Sequence, residues 1–99
     1  IRYYALTQQK IGDILLKRDM LKKASDMFKR SKAISELLND SILIIYSDFK
    51  QSLFYLYDSD YEAASVLFQE LIESPYLSSY NRLKMYHGMS QIATFYEKD

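Results

Sequence analysis

The sequence predicts an all-α fold of five helices arranged as antiparallel hairpins, and three observations carry that reading. Apolar residues recur at helical steps almost throughout the chain. Two Gly and one Pro in 99 residues are too few turn residues for an all-β chain or a glycine-rich phosphate loop. Hydrophobic residues at 48% and charged residues at 26% sit near the average of globular domains, far from disorder. A chain of this length makes one domain and can bury about 65% of its unfolded surface, enough for a core without staples.

The first helix is read from Tyr4, Leu6, Ile11, Ile14 and Leu15, and it ends at the polar break Lys17-Arg18-Asp19. The second carries Leu21, Ala24, Met27, Phe28, Ser31, Ile34, Leu37 and Leu38 on one side and stops at Asn39-Asp40-Ser41. Asn39 tolerates the left-handed conformation that closes a helix, and Asp40 or Ser41 can cap the next. The third, about 41–58, is apolar on most sides and is expected to be the most buried. Its start, Ile42 to Tyr46, contains three β-branched residues, but a lone strand has no partner elsewhere in the chain, so it is read as helix. Ser59-Asp60-Tyr61-Glu62 has the form of a capping box opening a fourth helix that runs through Ala63, Ala64, Leu67, Phe68, Leu71 and Ile72. Ser74-Pro75 stops it, because proline lacks an amide proton and disfavours helix in the residue before it. Ser78 or Ser79 caps a fifth helix reaching about Glu97.

Composition excludes several function classes. Zero Cys removes disulfides, thiolate metal sites and a cysteine nucleophile, and fits a reducing, cytoplasmic setting. One His leaves no His-paired metal site, and no cofactor is expected. Thirteen basic residues balance thirteen acidic ones, so the whole chain has no pull toward nucleic acid. The balance hides a split: residues 1–39 carry nine basic and four acidic groups, residues 40–75 one and seven, and 76–99 three and two. The longest uncharged apolar run, Ile42 to Tyr46, is far short of the roughly 20 residues a bilayer span requires. The chain opens on Ile1 rather than Met, and a fragment of a longer protein is expected.

A repeat runs through the pattern. Ala24 and Ala64, Phe28 and Phe68, and Leu21 and Tyr61 are each 40 positions apart, and Gly12 falls on Ser52 and Leu15 on Tyr55 at the same offset. A small residue followed four positions later by an aromatic one means a close helix approach beside a large plug. Ser31 against Leu71 breaks the register. These positions resemble the tetratricopeptide repeat (TPR) family, whose pattern has an aromatic residue, Leu-Gly and Tyr in the first helix and Ala, an aromatic residue and Pro in the second. Ile11-Gly12, Leu15, Ala24 and Phe28 match in a first unit, and Ser52, Tyr55, Ala64, Phe68 and Pro75 in a second. Tyr86, Met89, Ser90 and Ala93 match a partial third. Gln8 and Asp48 replace the leading aromatic, Gln51 sits where Leu is expected, and Pro75 is one residue early. The family's usual spacing is about 34, and HEAT-type repeats at about 40–47 compete, although the Ala-to-aromatic step favours TPR.

The resemblance implies a right-handed α-solenoid with repeat 1 at 1–39, repeat 2 at 40–75 and the first helix of repeat 3 at 76–99. It also implies a groove lined by the first helix of each unit. The groove residues are Leu6, Gln9, Lys10, Asp13 and Lys17, then Tyr46, Phe49, Lys50, Leu53 and Tyr57, then Lys84, His87, Gln91 and Phe95. Such a surface binds a peptide or protein segment by apolar anchoring and backbone hydrogen bonds. Packing against neighbouring helices is the competing role for Tyr46, Phe49, Leu53 and Tyr57. Acidic chaperone tails are disfavoured, since Asp13 would repel a carboxylate.

No catalytic constellation stands out. His87 has no partner in the sequence pattern, and helix capping explains Asp58, Asp60 and Glu62. Gly88-Met89-Ser90 lacks the second glycine of a nucleophile elbow, and Asn39-Asp40-Ser41 serves helix termination rather than glycosylation. Lys17, Arg18, Lys22, Lys23, Lys29, Arg30 and Lys32 form a basic run, interrupted by Asp19 and Asp26 and without aromatic residues to stack bases. A solvated face explains it better than nucleic acid or anionic lipid. The expected function is therefore a non-enzymatic peptide-binding scaffold, as in the sensory or interaction domain of a larger regulator. The alternative is an assembly module that self-associates through its charge split.

Overall fold

The computed structural model describes residues 2–97 and contains, among them, five α-helices and no strand. They are α1 (Arg2–Lys17), α2 (Leu21–Leu37), α3 (Ser41–Tyr57), α4 (Tyr61–Leu71) and α5 (Ser79–Glu97). Ile1, Lys98 and Asp99, the outer limits of the repeat assignment, lie outside the described residues. Ile42 to Tyr46 is helical, and α3 presents buried or half-buried side chains on most sides, as its composition requires.

The first three connections are one turn built three times. Asp19, Asn39 and Ser59 take left-handed conformations with φ of 60°, 52° and 60°, spaced 20 residues apart. In each, the next amide reaches back five residues: Met20 N to Leu15 O at 2.9 Å, Asp40 N to Ser35 O at 3.1 Å and Asp60 N to Tyr55 O at 2.9 Å. This is the Schellman arrangement, which satisfies the carbonyls a helix end leaves open. Asn39 is the left-handed residue the sequence indicates; Asp19 and Ser59 adopt the same state without that signature. The capping-box expectation is corrected by this geometry. Ser59 is held in the left-handed turn, and Asp60 is the N-cap, accepting from Ala63 N at 3.2 Å as Asp40 accepts from Leu43 N at 3.2 Å.

The fourth connection differs. Pro75 cannot continue a helix, α4 ends at Leu71, and seven residues (72–78) lead to α5. Arg82 of α5 ties that segment down, its guanidinium donating to the carbonyls of Ile72, Ser74 (3.0 Å) and Leu77 (3.3 Å). A cation over the carbonyl end of α4 is also favoured by the helix dipole. Ser78, as expected, accepts from Asn81 N at 3.1 Å and opens α5.

Each helix packs mainly on the next, and these contacts fit a helical repeat. One apolar cluster joins Leu16, Ala24 and Phe28 with Leu15 and Leu21. The other contains their counterparts 40 residues on, Tyr55, Leu56, Tyr61, Ala64 and Phe68, so Phe28 and Phe68 plug equivalent places. Gly12 makes the first plug possible, since a Cβ there would overlap the Phe28 ring.

The mismatch between Ser31 and Leu71 marks a real difference in the two cores. Around Leu71 the second cluster is apolar, with Phe49, Leu77, Met85 and Ile92. Around Ser31 the interior is polar. Gln9 Nε2 donates to Ser47 Oγ at 3.0 Å, and Ser31 Oγ, 3.0 Å from Ser47 Oγ, donates to the Ala5 carbonyl at 3.1 Å. A carbonyl only accepts, so the Ser31 proton is committed to Ala5, and Ser47 must donate to Ser31. The chain thus runs one way, from Gln9 to Ala5, and locks α1, α2 and α3 together.

α5 packs on α4 through one face. Met85, Gly88 and Ile92 face inward, and the inserted Cβ at Gly88 would meet Phe68 at 2.9 Å and Leu56 at 3.2 Å. Tyr86, Ser90 and Ala93, read from the sequence as a third repeat, are exposed, and only Met89 is half-buried. A seven-residue connection stands here in place of the three-residue turns, and α5 starts at Ser79 rather than at the next 20-residue step.

Candidate functional site

A cleft of about 600 Å3 opens between α2 and α4, with α3 as its floor. Helical spacing places its parts. Ser47, Asp48, Gln51 and Tyr55 recur along one side of α3 and form the base. Lys29 and Lys32 stand on the α2 wall, while Ala63, Val66 and Leu67 form an apolar α4 wall with Asp60 and Glu62 at its end. Val66 is 51% exposed although it lies in the middle of its helix.

Two polar groups are fixed in this cleft. Lys32 Nζ lies 2.8 Å from Asp48 Oδ1. That hydrogen bond raises the Lys32 pKa above its ordinary 10.5, with burial opposing and the charges of Asp48, Glu36 and Glu70 adding to the rise. Gln51 donates through Nε2 to Ser25 Oγ at 3.3 Å, and its Oε1 is buried without a donor among the described residues. An apolar α4 wall facing a basic α2 wall, with an acidic end, can hold a peptide by side-chain burial while orienting it by charge.

The groove expected on the first helices is divided by the fold. Lys50 Nζ and Asp13 Oδ2 meet at 3.0 Å and join α3 to α1. Lys10 and Tyr57 are exposed, Leu6, Tyr46 and Leu53 are half-buried, and Leu53 packs on both clusters. Phe49 and Gln9 are corrected: Phe49 is fully buried in the second cluster and Gln9 is spent on Ser47, so neither offers a surface to a partner. On α5, His87, Gln91 and Phe95 line a shallower hollow of about 390 Å3 beside Tyr61. There the Tyr61 and Phe95 rings lie 4.7 Å apart. Lys84 sits 4.7 Å over the Tyr80 ring.

The basic run of α2 lies outward, with Lys22, Lys23, Lys29 and Arg30 exposed. The charge split is partly neutralised within the chain, by Arg2–Asp40 at 3.3 Å and Lys32–Asp48. Among the described residues no helix is long and apolar enough to cross a membrane, and no group of three or more acidic or histidine side chains is placed to hold a metal ion.

The cleft between the second helices escaped the sequence reading because a family resemblance directs attention to the first helices. The signal was Val66, an apolar residue on the otherwise polar side of α4. Comparison with protein-family models, curated proteins and solved structures gives no match.

Proposed function

We propose that this chain is a non-enzymatic, TPR-like scaffold of the right-handed α-solenoid type, which binds a peptide segment in the cleft between α2 and α4. One observation carries the proposal. An open apolar channel, walled by Lys29 on one side and Val66 and Leu67 on the other, remains after both hairpins have packed. The ligand chemistry follows from the walls. Apolar side chains seat against Tyr55, Val66 and Leu67, an acidic residue meets Lys29, and a basic one meets Asp60 or Glu62. The duplicated packing of Phe28 and Phe68 supports the repeat architecture.

The test is selection of a displayed random peptide library on the immobilised chain. Enriched peptides are expected to combine apolar anchors with one acidic residue and to bind at least about tenfold more weakly to Val66→Glu and Lys29→Glu chains. Failure to enrich any peptide, or enriched peptides indifferent to both changes, overturns the proposal.

A further inference from the structure

Among the described residues, one end of the helix stack is covered and the other is open. At the covered end, α5 seats Gly88 against Phe68 and buries Met85 and Ile92. At the open end, α1 leaves Tyr3 82%, Ile14 53% and Ile11 39% exposed. These side chains have an internal template. Tyr3, Thr7, Ile11 and Ile14 stand 40 residues before Leu43, Ser47, Gln51 and Phe54. Through those positions α3 takes α2: Ser47 meets Ser31, Gln51 meets Ser25, and Phe54 packs on the cluster of Ala24 and Phe28. Leu43 is completely buried there. The rim of the α1 face is positive. Lys10, Lys17 and Arg18 are exposed and in no ion pair among the described residues, and Asp13 is held by Lys50.

We propose that the Tyr3–Thr7–Ile11–Ile14 face of α1 docks an amphipathic helix of a partner protein, seated as α2 sits on α3 and edged with carboxylates. A second copy of this chain is the poorer occupant. Its α2 has already given the matching face to α3, and the remaining exposed side of α2 carries Lys22, Lys23, Lys29 and Arg30, which would oppose the cations of α1. Its α4 has its equivalent face under α5.

The experiment uses a hydrocarbon-stapled peptide of residues 21–37 carrying Lys22→Glu, Lys23→Glu, Lys29→Glu and Arg30→Glu, titrated into the full chain by fluorescence anisotropy. One-to-one binding is expected, at least about tenfold tighter than that of the peptide with its original cations and weakened by added salt. An Ile14→Glu chain, checked for native helicity by circular dichroism, should bind the probe at least about tenfold more weakly. A chain carrying Lys10→Glu, Lys17→Glu and Arg18→Glu should instead prefer the cationic peptide. The cleft variant Val66→Glu should bind unchanged, which separates this face from the peptide cleft. Absence of binding, equal binding by the Ile14→Glu chain, or loss confined to Val66→Glu overturns the proposal. So does sedimentation evidence that the chain alone dimerises in an Ile14-dependent way, since the face then belongs to a second copy.

Discussion

Lys32 and Asp48 show how a single pair ties local chemistry to architecture. The pair spans α2 and α3 at the base of the cleft, and folding raises the lysine's pKa through its hydrogen bond to Asp48. A cation whose pKa rises on folding stabilises the fold at pH values below its ordinary 10.5, and that contribution fades as the pH climbs through the raised value. Because the Lys32 side chain is 43% exposed, solvent screens the pair and its contribution is less than about 1 kcal/mol. Asp48→Asn is therefore expected to lower stability by a few tenths of a kcal/mol in urea at neutral pH. The difference from the parent chain should vanish in strongly alkaline solution, and a deficit that persists there would mean the asparagine perturbs packing instead. Pairings of this kind were invisible in the sequence, where Lys32 is one cation in a run of seven and Asp48 merely a departure from a repeat pattern.

At the scale of elements, the three Schellman turns make a quantitative expectation possible. A side chain in the left-handed region costs about 1 kcal/mol, least for asparagine, whose short amide bonds locally. Glycine removes that cost at the price of a freer unfolded chain. Ser59→Gly should then stabilise by up to about 1 kcal/mol and Asn39→Gly by less, as read from thermal melts of the two variants. Equal shifts would show that φ is not the deciding variable. Helix existence and most boundaries were legible because apolar spacing and Pro75 act locally. The N-cap at Asp60 was misplaced by one residue because Ser59 and Asp60 are both good caps, and only the turn's backbone decides between them.

Across the whole molecule, the two halves share a plan and differ in what fills them. Residues around Ser31 form a hydrogen-bonded interior, whereas those around Leu71 form an apolar one. Apolar burial supplies most folding free energy, and a satisfied polar network adds only about 1 kcal/mol per hydrogen bond. The first half of α1 is therefore expected to open most readily. In native-state hydrogen exchange, amides of residues 6–12 should exchange well before those of 47–56, and the reverse order would contradict this distribution of stability. The repeat offset of 40 was legible from five residue pairs. The polar layer was visible only as one mismatch, because a sequence pattern marks Ser31 as small without saying that Gln9 and Ser47 converge on it.

The even cadence of the turns at Asp19, Asn39 and Ser59 also governs which length changes the chain can absorb. One extra residue inside α2 or α3 would swing the following Schellman turn by about 100° round its axis and misdirect the packing that follows it. The stretch from Ile72 to Ser78 already breaks that cadence, and Arg82 grips its carbonyls rather than any side chain. Insertions and deletions should therefore be survivable there and ruinous upstream, leaving the α4–α5 link as the place where lengths can vary while the first four helices keep step.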